Sequence, residues 1–485
     1  MLDTTITPEE DQFFSIGSQA AQNPQWWKEE PMWNTVQRNG LQSACYFWVG
    51  SEVPINGMLP NYYKPYDGRI PFTERIDEVI EWLKLPENER PSFITLYFNE
   101  PDHFGHLYGP NSSTVNDALL RADSTLDYLM RKLKDADLLD CVNKIVLSDH
   151  GMTNQKRDGF FIVDDYIDIE GALLVYGNNG KIYVRGTNHT TDEIKDALTC
   201  KDPNYSVYEQ DIEMPRRLHY ANSRRIGDVL ITSKEGGRVY KSPPSRSPSR
   251  GGHGYGNRYE SMHTIFSAHG PSLQQGLTHE PFQNIEVYNL IADLLGLGQR
   301  AYNDGTPRAL NAMLKRPYRS LNEETADYPL DKARQPLGLV MKDGFKNGVW
   351  KWLDELTETY RRIYGRIFVE DGPIYDYNND GQADNTPSNT PSHFYRTILR
   401  CDGNSWNSAG DACLIASKAG VLSFVLPHVD RPTNYCQPKE EYLFTNTARV
   451  RDIEMLTGRR FFADRTKWPL QEAIRLRIHV NQELW

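Results

Sequence analysis

The strongest constraint on this chain is the alternation of helical and strand-like patterns between Pro71 and Gly151. Ile76, Val79, Ile80 and Leu83 recur at the spacing of one helix face, with Thr73 as the expected cap. The run Phe93 to Phe98 is short and β-prone and stops at Asn99-Glu100-Pro101. Val115, Leu119, Ala122, Leu126, Leu129 and Leu133 then mark a longer amphipathic helix. A second strand, Lys144 to Leu147, ends at Ser148-Asp149-His150-Gly151. Strands separated by helices of this length predict an α/β fold with a mostly parallel sheet flanked by helices. Sites in such sheets form beyond the carboxyl ends of the strands. Asp102 and His106 follow one strand end, and Asp149 and His150 follow the next.

The 485 residues leave room for two or three domains. Residues 241–252, Lys-Ser-Pro-Pro-Ser-Arg-Ser-Pro-Ser-Arg-Gly-Gly, contain no core-forming side chain and read as a loop leading into His253. A helix is expected from Asn284 to Leu297. The polar stretch that follows has few periodic apolar residues, so residues 1–315 form the first expected domain, 316–336 a linker and 337–485 a second, smaller α+β domain. A net charge of −11 without a long basic block disfavours nucleic-acid binding by the chain as a whole. No apolar run approaches the roughly 18 residues that span a bilayer, and the acidic start lacks the pattern of a signal peptide. Read literally, this is a soluble cytoplasmic chain with no membrane anchor. Sequons at Asn111, Asn188 and Asn204 would instead suit secretion, so composition leaves the compartment open.

Three short motifs carry residues of zinc-ligand type: Asp102-His103-Phe104-Gly105-His106, Asp149-His150 and Gly252-His253-Gly254. Zinc takes imidazole nitrogen and carboxylate oxygen, and catalytic sites keep one position open. Each motif alone is weak, because Asp-His pairs also occur at ordinary strand ends. Two of them at consecutive strand ends, with a third glycine-flanked histidine, point to a metal centre. His103 and His263 are read as structural or solvent-facing.

The segments Phe98 to Pro110, Ser148 to Met152 and Gly252-His253-Gly254 resemble those of the ectonucleotide pyrophosphatase/phosphodiesterases, within the alkaline-phosphatase-like superfamily. Arg217 to Asn222 and Asn284 to Leu290 extend the resemblance. It implies a two-zinc hydrolase of nucleotide pyrophosphate and phosphodiester bonds. Asp102, His106 and His253 would hold one zinc, and Asp149 and His150 the other. A nucleotide or dinucleotide is the implied substrate, and a threonine between the zincs attacks phosphorus to form a covalent nucleotidyl-enzyme. Tyr46 to Glu52 and Tyr62 to Tyr66 are similar to segments lining the nucleotide pocket, with Trp48 and Tyr66 as the expected stacking platforms.

The resemblance also implies a first strand, a further aspartate on the second zinc and the threonine nucleophile, all upstream of the segment matched by Gln25 to Trp33. None is expected within these residues, since Thr4, Thr5 and Thr7 have no preceding strand to hold them on the metals. Slow turnover, one firm and one weaker zinc, and a gap in the sheet are therefore expected. By the same resemblance the compartment is extracellular or the cell surface, Cys200 pairs with Cys436, Cys401 pairs with Cys413, and Cys141 is left unpaired. For six sparse cysteines the alternative is reduced thiols in a cytosolic protein.

In the second domain, Asp376, Asn378, Asp380 and Asp384 fall at calcium-loop positions 1, 3, 5 and 9, with Gly381 at 6 and the Gln382 carbonyl at 7. Pro387 takes the place of the bidentate glutamate, so the loop is not a complete EF-hand. The segment resembles the calcium loop of the nuclease-like domain of one family branch, here shortened. Competing readings are a non-catalytic metal-binding remnant that acts as a scaffold, and a lysophospholipase D of the autotaxin kind.

Overall fold

The computed structural model describes residues 6–7, 12–14, 19–210, 212–223, 225–316, 341–384 and 390–485. Thr4, Thr5, the linker beyond residue 316 and Pro387 lie outside the described residues.

Three strands form a parallel sheet in the order β2-β1-β3: β1 (Ser43–Tyr46), β2 (Tyr62–Lys64) and β3 (Phe93–Leu96). Between β2 and β3 runs α1 (Phe72–Lys84), which buries Ile76, Val79 and Ile80 as the periodicity predicts. Thr73 is not its cap; Pro71 occupies that position without a side-chain hydrogen bond, and Thr73 sits in the first turn. After β3 come α2 (Asp102–Tyr108) and the 23-residue α3 (Ser113–Asp135). Ser112 caps α3 by accepting from the Val115 N–H at 3.3 Å. The expected apolar stripe of α3 is covered only near its ends. Leu133 joins Ile76 and Ile80 in one cluster, whereas Leu119 is 50% and Leu126 36% exposed.

β4 (Lys144–Leu147) has the predicted limits but does not hydrogen-bond to β1, β2 or β3 among the described residues. Its ladder is antiparallel, with the late strand Phe266–His269. That choice follows from burial, since Ile145, Phe266 and Ala268 pack together against Leu290 and Ile474. The expectation of a parallel sheet thus holds for the first three strands and not for the fourth. Directly after β4, β5 (Thr153–Asn154) pairs antiparallel with β6 (Gly251–Gly252), at the end of the segment read as loop.

The intervening chain builds a four-stranded antiparallel sheet around Ile182, Val207, Val229 and Ile231. The C-terminal part is a second four-stranded antiparallel sheet, dominated by β7 (His393–Cys401) and β8 (Ala419–Pro427), with helices α4 (Val450–Thr457) and α5 (Leu470–Ile478) packed on it. α5 joins two cores. Ala473 and Leu476 face the C-terminal sheet, while Ile474 and Ile478 pack with Leu290 and Met313.

The two parts are tied covalently by Cys200–Cys436 and locally by Cys401–Cys413, the pairings expected from resemblance. Cys45 is buried and Cys141 exposed, both as free thiols. A buried ionic chain reinforces the joint. The Arg449 guanidinium donates to Asp452 at 2.7 Å and lies 3.4 Å from Glu286, and His219 lies 3.1 Å from the same Asp452 oxygen. No described helix is long and apolar enough to cross a membrane.

Candidate metal centre

α2 begins at Asp102 itself, and a helix places residues four apart on one face. Asp102 and His106 therefore project side by side, with Asp102 Oδ1 3.4 Å from His106 Nε2. The third group arrives from far along the chain. The β5–β6 ladder carries His253 back to α2, where its Nε2 lies 3.1 Å from His106 Nε2 and 3.7 Å from Asp102 Oδ1. Only glycine permits this approach, because a Cβ on Gly251 would stand 2.3 Å from the Gly105 carbonyl oxygen. Asp102, His106 and His253 together have the spacing of a metal-ligand set.

His150, just past β4, stacks on His253 with ring centroids 3.5 Å apart and 11° between planes. Its Nε2 is 3.9 Å from the same Asp102 Oδ1. Asp149 stands apart from this group. Its carboxylate reaches only His150, at 3.4 Å, and its side chain is 81% exposed. His103 and His263 are exposed, in keeping with the solvent-facing reading.

Hydrogen bonding orients the imidazoles. Nδ1 of His106 lies 3.0 Å from the Gly251 carbonyl, and Nδ1 of His150 lies 2.9 Å from the Gly151 carbonyl. Each carbonyl can only accept, so the proton sits on Nδ1 and the Nε2 lone pair turns inward as a ligand would require. Asp102 Oδ1 is buried and has no hydrogen-bond partner. An orphaned carboxylate oxygen facing three imidazole nitrogens is costly without a cation and well suited to one. Burial opposes ionisation of Asp102, but the neighbouring imidazoles of His106, His150 and His253 outweigh it and lower its pKa. Burial and the adjacent His150 push His253 down to about 4, which keeps its lone pair available at neutral pH. The donor set, imidazole nitrogen plus carboxylate oxygen, is one that divalent transition-metal ions accept, zinc among them.

The pocket candidates follow the first and second strands. Trp48 is 37% and Tyr66 52% exposed. Tyr66 packs against Phe47 at 5.2 Å and lies 6.3 Å from Tyr97. Tyr97 escaped the sequence reading, because it follows the β3 run with no polar motif of its own. Burial, Tyr66 and the charges of Asp149 and Asp102 push its phenol up to about 12. Asn178 was also missed; its amide donates to the His253 carbonyl and steadies that ligand's backbone.

In the C-terminal part, Asp376 is buried with both carboxylate oxygens lacking a hydrogen-bond partner. Burial pushes its acid up to about 6, opposed by Arg216, whose Nη2 lies 3.5 Å away, and aided by Asp380 and Asp384. The Asn378 side chain accepts from the Asp380 N–H at 3.1 Å, and Asp380 accepts from the Gln382 N–H at 2.8 Å, while Asp384 closes the turn onto the Tyr377 N–H at 2.5 Å. Gly381 takes the left-handed conformation (φ 82°) that loop position 6 demands.

A family model for type I phosphodiesterase / nucleotide pyrophosphatase matches residues 3–256. Venom phosphodiesterase CdcPDE of Crotalus durissus collilineatus is 30% identical over 634 residues, covering 96% of this chain and 76% of its own length. Ectonucleotide pyrophosphatase/phosphodiesterase family member 3 of Bos taurus is 40% identical over 641 residues, covering 96% of this chain and 72% of its own. Both alignments are longer than the 485 residues of this chain, so the relatives carry insertions within the matched region. With the family model covering more than half of the sequence and the relatives nearly all of it, the chain belongs to the type I phosphodiesterase / nucleotide pyrophosphatase family of hydrolases.

Proposed function

We propose that this chain carries the metal platform for zinc-dependent hydrolysis of nucleotide pyrophosphate and phosphodiester bonds. The supporting observation is the convergence of His106, His150 and His253 on the unpartnered Oδ1 of Asp102. Asp102, His106 and His253 would hold one zinc firmly, and His150 with Asp149 a second one more weakly. Zinc ions so held would supply Lewis-acid stabilisation of the charge that develops in a displacement at phosphorus. Among the described residues no Ser or Thr hydroxyl hydrogen-bonds to any of these five side chains. The described residues thus offer ligands and substrate contacts with no hydroxyl held on them, and loss of a covalent nucleophile costs on the order of 10⁴-fold in rate. An extracellular setting fits the two disulfides and the exposed sequons at Asn111 and Asn188.

The test is an assay of the 485-residue chain with a chromogenic nucleotide phosphodiester. Expected is slow release that stops with EDTA and returns with zinc, with one zinc surviving dialysis and a second lost. Release that is unaffected by EDTA, or two equally tight zincs, would overturn the assignment.

Tyr66→Ala and Trp48→Ala are expected to weaken nucleotide binding by roughly 5- to 150-fold each, the equivalent of about 1–3 kcal/mol per lost stack. Zinc content stays constant in both. Isothermal titration with a non-hydrolysable nucleotide checks this, and unchanged affinity in both variants would remove the platform.

For the second ion, Asp376, Asn378, Asp380, the Gln382 carbonyl and Asp384 form the proposed calcium site. Calcium at a hundredfold excess over its Kd should stabilise the chain by about 2.7 kcal/mol. Thermal melts should show the shift in wild type and not in Asp376→Asn. An equal shift in both would place the ion elsewhere.

A further inference from the structure

Where the first part of the chain meets the C-terminal part, two guanidinium groups converge on one turn. Arg217 Nε donates to the Thr445 carbonyl at 3.0 Å, and Arg258 donates to the Phe444 carbonyl and the Thr447 hydroxyl. Phe444 and Thr445 close the helix Lys439–Thr445, and Arg258 Cζ stands 4.2 Å from the centre of the Phe444 ring. The same two arginines line a small cavity at this joint, together with Asn257, Gln283, Arg449 and Asn481.

Neither Arg217 nor Arg258 has a carboxylate partner among the described residues; their acceptors are carbonyl, hydroxyl and amide oxygens. Arg449, on the same cavity, is balanced by Asp452 and Glu286. A helix C-terminus offers roughly half of one negative charge, which leaves most of the charge on two guanidiniums unmatched. Arg258 Nε is buried without a hydrogen-bond partner, and Arg217 donates only through Nε and Nη1. Burial lowers the pKa of both groups, and Arg217 beside it helps to bring Arg258 down to about 8. A buried charge with no counter-charge is strongly destabilising, so the cavity calls for an anion. Size then selects the kind. The space holds about one water-sized group, which excludes phosphate or sulfate and suits a single halide. Water would fill it without supplying charge.

We propose that a chloride ion binds between Arg217 and Arg258 and fastens the C-terminal part to the segment that follows His253. The site is independent of the metal centre and of the hydrolysis assigned to it. Its ligand stabilises the joint by linkage, because the two guanidiniums are held together on the turn at Phe444 and Thr445 only in the folded chain.

Thermal melts of the zinc-loaded 485-residue chain test this at fixed ionic strength, with chloride exchanged for gluconate, which is too large for the cavity. The melting temperature should rise by about 1–2 °C for each tenfold increase of chloride above its Kd, and bromide should act as chloride does. Asn257→Asp supplies the missing charge from the protein itself, since the Asn257 side chain already accepts from Arg217 Nη1 at 2.6 Å. That variant should keep in gluconate the stability that wild type shows only in chloride, and it should lose the chloride slope. Arg258→Gln should lose the slope too; if it fails to fold, Asn257→Asp still decides. A wild-type crystal grown in bromide should show an anomalous peak in contact with Arg258 Nε and the Arg217 guanidinium. Equal melting temperatures in chloride and gluconate, a chloride slope that survives Asn257→Asp, or a cavity without a bromide peak would each overturn the site. A peak without any melting response would mark binding at crystal concentration only and would overturn it as well.

Discussion

Asp102→Ala is expected to weaken zinc binding by more than 100-fold and to remove the residual hydrolysis with it. Asp102 Oδ1 is common to three imidazoles, at 3.4, 3.7 and 3.9 Å from the Nε2 atoms of His106, His253 and His150. Its loss removes the carboxylate that the three imidazoles share and the negative charge that would offset the cation. Groups that merely orient a metal ligand already contribute 10- to 100-fold to affinity, so a ligand itself should exceed that range. Asp149→Ala supplies the internal control. That carboxylate is largely exposed and reaches only His150, so its removal should release the weaker zinc and leave the firm one. Competition with a chromogenic chelator measures both. Equal losses from the two substitutions would contradict the division into a firm and a weak site.

The two halves of this site differ in how readily the sequence reveals them. Asp102 and His106 are four residues apart at the start of a short helix, and Asp149 with His150 follows an apolar strand, so periodicity locates both pairs. The meeting of those pairs with His253 depends on β5 and β6, two-residue strands of Thr-Asn and Gly-Gly. Such segments carry no hydrophobic pattern, and their pairing is set by backbone approach between glycines. Composition alone reads the second of them as loop. The same limit explains β4. Its limits are plain from Lys144 to Leu147, but its choice of the Phe266–His269 strand is decided by packing with Leu290 and Ile474, residues more than 140 positions away. On α3, periodicity identifies the helix correctly and overstates its burial, since a pattern reports which side chains could be covered and not whether a partner is present at Leu119 or Leu126. Tyr97 and Asn178 stand beside the candidate site only through what folds against them, and no local motif distinguishes them.

Arg449→Met is expected to destabilise the joint between the two parts of the chain by about 3–5 kcal/mol, the range for an ion pair broken inside a protein. Arg449 is 2% exposed, Asp452 2% and Glu286 1%, so no water replaces the lost guanidinium. Asp452 would keep His219 and the backbone N–H of residue 449 at 2.9 Å, and Glu286 the Thr306 N–H at 2.6 Å, none of which replaces the lost positive charge. Since Arg449 starts α4 and Glu286 belongs to the helix Glu286–Leu294, the loss is felt where the C-terminal sheet meets the residues that support β4. The pH dependence separates this from simple loss of packing. Burial raises the cost of ionising Asp452, but Arg449 and His219 outweigh it and hold the carboxyl well below its usual range. An unfolded aspartate titrates near 3.9, so the stability Asp452 confers is present above about pH 4 and lost as pH falls. Glu286 has the opposite sign. Burial pushes it up to about 7 against the pull of Arg449 and Thr306, so its contribution is full below the unfolded glutamate value and is lost as pH rises through 7. On these two groups the wild-type joint is firmest near pH 4 and loses the Glu286 contribution progressively as pH rises from there to about 7. Below about pH 4 the difference between wild type and Arg449→Met should shrink, because protonated Asp452 no longer needs a cation. Urea titrations across this range measure the effect, and the double variant Arg449→Met/Asp452→Leu should recover part of the loss at pH 6. A destabilisation that is constant with pH and unrelieved in the double variant would show that Arg449 acts by packing its side chain and not by charge.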